Sequence, residues 1–121
     1  MPPLTISERN KWWRDTLGSP RYVCAPMVLQ SELAFRMLSR RHGTQLCYAP
    51  MLPAAAFLAC PADGAEPEHP LTGGPNTKAS WFTTHPQHDR PLIAQIGGSD
   101  ASEVLATALW LQERCDAVDL N

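Results

Sequence analysis

The chain has 121 residues, with 10 Lys and Arg against 12 Asp and Glu and a net charge of -2 at pH 7. That length makes one domain the default, and the charge balance gives no basic excess from which nucleic-acid binding follows. No apolar run approaches the ~20 residues of a membrane-spanning helix, and Cys24, Cys47, Cys60 and Cys115 form no C-x-x-C pair and follow no secretory signal, the pattern of reduced, mostly buried thiols in an intracellular protein.

In chain order, Ser7 is a candidate N-cap for a leading helix over "ERNKWWRDTL", with Glu8 in its first turn and Gly18-Ser19-Pro20 as its stop. Trp12 and Trp13 on that helix are expected to cover the bottom or side of a sheet. "RYVCAPMV" reads as a buried strand, because Tyr22, Val23 and Cys24 form an apolar run that ends at Pro26. Ser31 is the cap candidate for "ELAFRMLSRRHG", where Leu33, Ala34, Met37 and Leu38 share a face and Arg40 and Arg41 suit the C-terminal dipole. "QLCYAPML" is a second strand, and it repeats the Ala-Pro-Met of the first.

Between Ala59 and Arg90 the chain is crowded with Pro, Gly, His and Thr and lacks either period, which predicts a functional or poorly ordered loop after a short helix over "LPAAAFLA". "PLIAQIGG" is a third strand. Asp100 then caps a helix over "ASEVLATALWLQERC", with Glu103 three residues on; Val104, Ala108, Leu111 and Cys115 form its packing side, with Leu105 and Leu109 beside them. "AVDLN" begins a fourth strand. Strands separated by helices predict βαβ units and a parallel sheet.

Parallel sheets bind ligands at the carboxyl ends of their strands. Here that rule selects Ala25, Pro26 and Met27, then Ala49, Pro50 and Met51, then Gln95 to Gly98, then Asp119 and Asn121. This mostly uncharged set suits a flat hydrogen-bonding ligand, and the Gln95 and Asn121 amides each pair a donor with an acceptor. Core packing for the methionines and satisfied strand-end amides for Gln95 and Asn121 are equally open readings. His85 and His88 form an H-x-x-H, with His69 further back, but the rigid frame and further ligands of a zinc site are missing from the pattern. Arg36, Arg40 and Arg41, with Lys11 and Arg14, form either a basic face for RNA or a solvated surface. No P-loop, G-x-G-x-x-G or triad spacing is present.

The stretches "WWRDTLGSPRYVCAPMVLQSELAFRMLSRRHGTQLCYAPML" and "RPLIAQIGGSDASEVLATALWLQERCDAVDLN" closely resemble the N-terminal part of the tRNA-dihydrouridine synthases, most of all the eukaryotic branch acting near D-loop positions 16 and 17. Ala-Pro-Met, the Ser-Glu-Leu-Ala helix with its Arg, Tyr-x-Pro-Met, Pro-Leu-Ile-x-Gln and Asp-x-Asp-Leu-Asn carry the resemblance in combination. It implies the N-terminal half of a (β/α)8 TIM barrel, about four parallel strands, with residues 1–20 as a leading helical segment and 21–121 as a partial FMN-binding domain interrupted by an irregular insertion over 59–90. It also implies reduction of uridine to dihydrouridine in tRNA, with FMN as cofactor and NADPH as electron donor. By position, Pro26 and Met27 would line the flavin ring, Gln95 would bond its pyrimidine end, and Asn121 would lie beside flavin and uracil.

In the family, Asp-Leu-Asn runs on into Leu-Gly-Cys-Pro, so the general-acid cysteine is expected beyond Asn121 and none of the four cysteines inherits its role. Leu29 stands where an acidic residue is usual, and the 59–90 segment departs from the family as an altered exon or frame change would. A full barrel needs about 250 residues. The resulting expectation is a truncated, inactive fragment in the cytoplasm or nucleus, with no metal and no membrane, that binds FMN weakly and self-associates through open sheet edges. A non-catalytic interaction protein and another FMN-dependent barrel reductase are the alternatives.

Overall fold

The computed structural model describes residues 2–61 and 76–121. The leading helix α1 (Ile6–Leu17) starts two residues before the expected first residue, Glu8. Thr5, not Ser7, is the N-cap: its hydroxyl accepts from the Glu8 amide at 3.3 Å, and the Glu8 carboxylate accepts from the Thr5 amide at 2.8 Å. This reciprocal pair satisfies two amides that Ser7 could not reach. Gly18, at φ 74°, closes the helix in a left-handed conformation. Trp12 and Trp13 do not cover the sheet; they stay 39% and 41% exposed. Leu17 is the buried residue of α1, packing on Leu46 and Ile93 at the amino ends of two strands.

Five strand segments, β1 (Val23–Cys24), β2 (Leu46–Tyr48), β3 (Leu52–Pro53), β4 (Leu92–Gly97) and β5 (Ala117–Leu120), form one parallel sheet. β2 pairs with the first half of β4 and β3 with its second half, while β5 lies along the other edge of β4. β2 and β3 are therefore two halves of one strand, and the four strand lines stand side by side in chain order, as in a β/α barrel. The second Ala-Pro-Met does not end its strand as expected. Tyr48 pairs with Ile93 but Leu52 with Ile96, so four steps of one strand oppose three of the other. The extra residue is a β-bulge at Ala49–Met51, where Pro50, lacking an N–H, is tolerated. Only Cys24 of the first strand is buried, because β1 is an edge among the described strands and leaves Tyr22 and Val23 in solvent.

The helices α2 (Leu33–Arg41), α3 (Ala54–Leu58), α4 (Lys78–Trp81) and α5 (Ala101–Leu111) complete the fold. One sheet face, carrying Cys47, Leu92, Ala94 and Ile96, packs with Phe57, Trp81, Phe82 and Leu111. Trp110 meets Phe57 and Phe82 edge-on, at 5.0 and 6.1 Å between ring centroids. Asp100 caps α5 as expected, its carboxylate accepting from the Ser102 hydroxyl and from the Glu103 and Ser102 amides, which holds its pKa low. Val104, Ala108, Leu111 and Cys115 face the core, but Leu105 and Leu109 do not; they point outward. The segment expected to be irregular is partly built into the core: Thr77 caps α4 with a reciprocal Ser80 bond, and Trp81 and Phe82 are buried behind it. His69 and the rest of residues 62–75 lie outside the described residues.

Arg36 and Asp89, 53 positions apart, are both fully buried. The Arg36 guanidinium donates to Asp89 at 2.6 and 3.1 Å, to the Ser31 carbonyl at 2.5 Å and to the Thr83 carbonyl at 2.6 Å. Arg40 adds a second cation at 3.3 Å from Asp89 and donates to the Pro91 carbonyl at 2.7 Å; the Thr84 hydroxyl also donates to Asp89. Neither the basic face nor the solvated surface describes Arg36 and Arg40, two of the three α2 arginines, which turn inward, and Lys11 pairs with Asp15 on α1. A carboxylate removed from this site leaves a buried guanidinium without its counter-charge. Asp89→Ala is expected to lower the unfolding free energy by about 3–5 kcal/mol in urea titrations, and Arg36→Met with Asp89→Leu together by much less.

Candidate functional site

The sheet face opposite the helices alternates with the core residues. Leu46, Tyr48, Ile93 and Ala117 form its lower layer, floored by Leu17. Gln95 and Asp119, directly paired in register, form the next layer, and the Gln95 Nε2 donates to the Asp119 carboxylate at 2.7 Å. Tyr48 lies near enough to this carboxylate that burial first, and then the Asp119 charge, push the phenol's pKa up. Above them, at the strand ends, stand Met51, Gly97 and Asn121.

The bulge sets Met51 on this face. Unbroken alternation from Cys47 and Ala49 would turn Met51 toward the helices; the bulge resets the phase, so Met51 faces inward and Leu52 joins the core. Met51 then rests on Gly97, where an added Cβ would stand 2.8 Å from the Met51 sulfur. The Asn121 amide donates to the same sulfur at 3.2 Å. Gln95 and Asn121, picked out by their strand-end positions, thus converge on one face, in company with Asp119, Met51 and Gly97.

Pro26 and Met27 lie at the same end of the sheet, on the loop after β1, two strand lines from β4. The Met27 side chain packs against the helix-side core. Its main chain is held by Ser31, whose buried hydroxyl accepts from the Met27 amide at 2.9 Å and donates to the Met27 carbonyl at 3.1 Å. Ser31 is therefore a loop clamp instead of the expected N-cap; Glu32 occupies that position. Leu29, in the turn that follows, has φ 60°, a left-handed conformation that Asp or Asn adopts more readily than Leu.

The other candidates sit elsewhere. His85 accepts amide hydrogen bonds from Gln87 and His88 through Nδ1, and no group of three metal-ligating side chains occurs among the described residues. Cys24, Cys47, Cys60 and Cys115 are free thiols of the helix-side core or packed on it, away from the Gln95 face. Burial raises the pKa of Cys60 and Cys115, and moves that of Cys47 from 9.0 to about 11, so these three are poor thiolates near neutral pH.

A parallel sheet taken in chain order, with a helix after each of its inner strands and a polar row at its carboxyl end, is the first part of a β/α barrel. Residues 23–121 match the family model for dihydrouridine synthase, and the chain belongs to that family. It is 43% identical over its whole length to the tRNA-dihydrouridine(16/17) synthase-like protein of Mus musculus, of which it spans 22%. It is 40% identical over 108 residues, 88% of the chain, to the tRNA-dihydrouridine(16/17) synthase of Saccharomyces cerevisiae, again 22% of that protein. A tRNA-dihydrouridine(20a/20b) synthase-like protein of Mus musculus is 37% identical over 98% of the chain and 33% of its own length. All three names carry NAD(P)+. The chain thus spans about a quarter of the length of the 16/17 relatives. The matched range, 23–121, includes the 59–90 segment that was expected to depart from the family. No solved structure matches the chain significantly.

The Cys47 shift carries a sign. Between about pH 9 and 11 the unfolded thiol loses its proton while the folded one keeps it, so the native state binds more protons and stability falls as pH rises. Urea midpoints measured across that window are expected to drop by the equivalent of about 2 kcal/mol, and the drop is expected to be shallower in Cys47→Ala.

Proposed function

We propose that these residues form the amino-terminal part of a flavin-dependent tRNA-dihydrouridine synthase of the 16/17 type, which reduces uridine in the tRNA D-loop at the expense of NADPH. The row of Gln95, Asp119, Met51 and Asn121 on one face at the carboxyl end of a family-member barrel is the observation that carries this reading. The residues present fit one edge of an FMN ring: an amide donor–acceptor pair at Gln95, the polarizable Met51 sulfur, the bare backbone of Gly97 and a second amide at Asn121. Hydride for the uracil ring comes from reduced flavin when it is bound. Gln95 would orient the ring's pyrimidine end, Pro26 and Met27 would border it through a loop that Ser31 holds, and Asn121 would lie beside flavin and uracil.

The proton that completes the reduction needs an acid on this same face. All four cysteines lie on the other side of the sheet, so residues 1–121 alone are proposed to be inactive, with the general-acid cysteine supplied from beyond Asn121. The proposed reaction would be carried out where tRNA is processed, and cytoplasm or nucleus is the compartment we propose.

The test joins these 121 residues to the remainder of the yeast 16/17 relative and supplies tRNA lacking dihydrouridine, FMN and NADPH. The joined protein is expected to form dihydrouridine, the 121 residues alone to form none, and Gln95→Ala in the joined protein to bind FMN about tenfold more weakly. An inactive joined protein with normal folding would overturn the reading, and turnover by the 121 residues alone would overturn the proposed division of the site.

A further inference from the structure

We infer that Asp119 is a positioning residue that fixes the orientation of the Gln95 side-chain amide, and that the site consequently selects a ring whose edge presents an N–H donor. The inference rests on the flavin reading for the identity of the ring, but its geometry stands on the sheet itself.

A free glutamine amide turns over easily, exchanging its oxygen and nitrogen, and either orientation serves an environment with mixed partners. Asp119 removes that choice. Its ionised carboxylate accepts hydrogen bonds and donates none, so the Gln95 atom 2.7 Å from Asp119 Oδ2 is the nitrogen. The parallel register holds the two side chains opposite each other on one face, Gln95 against Asp119, so the pairing is built into the sheet instead of a mobile loop. Among the described residues Asp119 makes no ion pair, which leaves its charge directed at this amide. Gln95 is then left with its oxygen, an acceptor, and its second N–H. An imide edge, in which a ring N–H adjoins a carbonyl, is complementary to that pair. A ring alkylated at the same nitrogen has nothing to give the oxygen.

The chain labelled with 15N at glutamine is titrated with lumiflavin, which has the ring and its imide N–H without the phosphate, and with 3-methyl-lumiflavin, which lacks that N–H. The parent chain and Asp119→Asn are compared. Asparagine is isosteric but donates as well as accepts, so it frees the Gln95 amide to turn. In the parent chain the Gln95 side-chain amide signals are expected to be displaced and well separated by the hydrogen bond to Asp119, and to move toward free-glutamine positions in Asp119→Asn. Lumiflavin is expected to weaken about fivefold in Asp119→Asn while 3-methyl-lumiflavin changes little, so that substitution and methylation are coupled. Equal weakening of both rings, or a Gln95 amide indifferent to Asp119, overturns the inference. If neither ring binds and the amide still shifts in Asp119→Asn, the lock stands and the flavin reading fails for these residues. Backbone amide spectra of Asp119→Asn matching the parent separate either result from misfolding.

Discussion

A single buried carboxylate ties together parts of the chain that nothing else joins so directly. Asp89 receives Arg36 and Arg40 from α2 and the Thr84 hydroxyl from the segment before β4, and Arg36 in turn grips the Ser31 and Thr83 carbonyls. Ser31 is also the residue that clamps the loop after β1. The same cluster therefore sets the position of α2, the entry into β4 and the loop carrying Pro26 and Met27. A dry ion pair is a weak source of net stability, because desolvating both charges offsets most of their attraction. Its effect here is to allow one arrangement: shifting α2 by a turn would strand a guanidinium in an apolar core.

The two faces of the sheet divide the chemistry. Toward the helices lie aromatic rings, aliphatic side chains and the thiols, of which Cys47, Cys60 and Cys115 have their pKa raised by burial. Toward the other side lie Tyr48, Gln95, Asp119 and Asn121, above the floor made by Leu17. Period-two alternation makes this separation automatic in β4 and β5, where one set of residues packs and the next presents polar groups. In the second strand line the same separation needs the bulge.

Much of this was legible from local pattern. The four strand lines, the α5 cap at Asp100 and the short helix before the irregular segment depend on residues a few positions apart, and short-range chemistry reads such features well. Gln95 and Asn121 were legible as strand-end amides. What stayed hidden depends on partners distant in sequence. Arg36 reads as a solvated helix charge until Asp89, 53 residues on in a stretch with no periodicity, is placed beside it. Asp119 gains meaning only when register sets it against Gln95. Pro50 reads as the end of a strand, since proline usually is, and only the shifted pairing with β4 shows the strand resuming. Leu105 and Leu109 read as core because a helix wheel cannot say how wide a stripe its neighbours will cover.

The bulge also sets a rule for how this strand can change over evolutionary time. Upstream and downstream of Ala49–Met51 the side chains keep opposite phases, like two texts read in different frames and spliced at one point. Exchanges of one residue for another within it are local events. Loss of a single residue there would set three steps against three, so the bulge would vanish while the methionine and Leu52 kept the faces they hold now. Sequence variation across this spot is therefore expected to include loss of the bulged residue as well as substitutions.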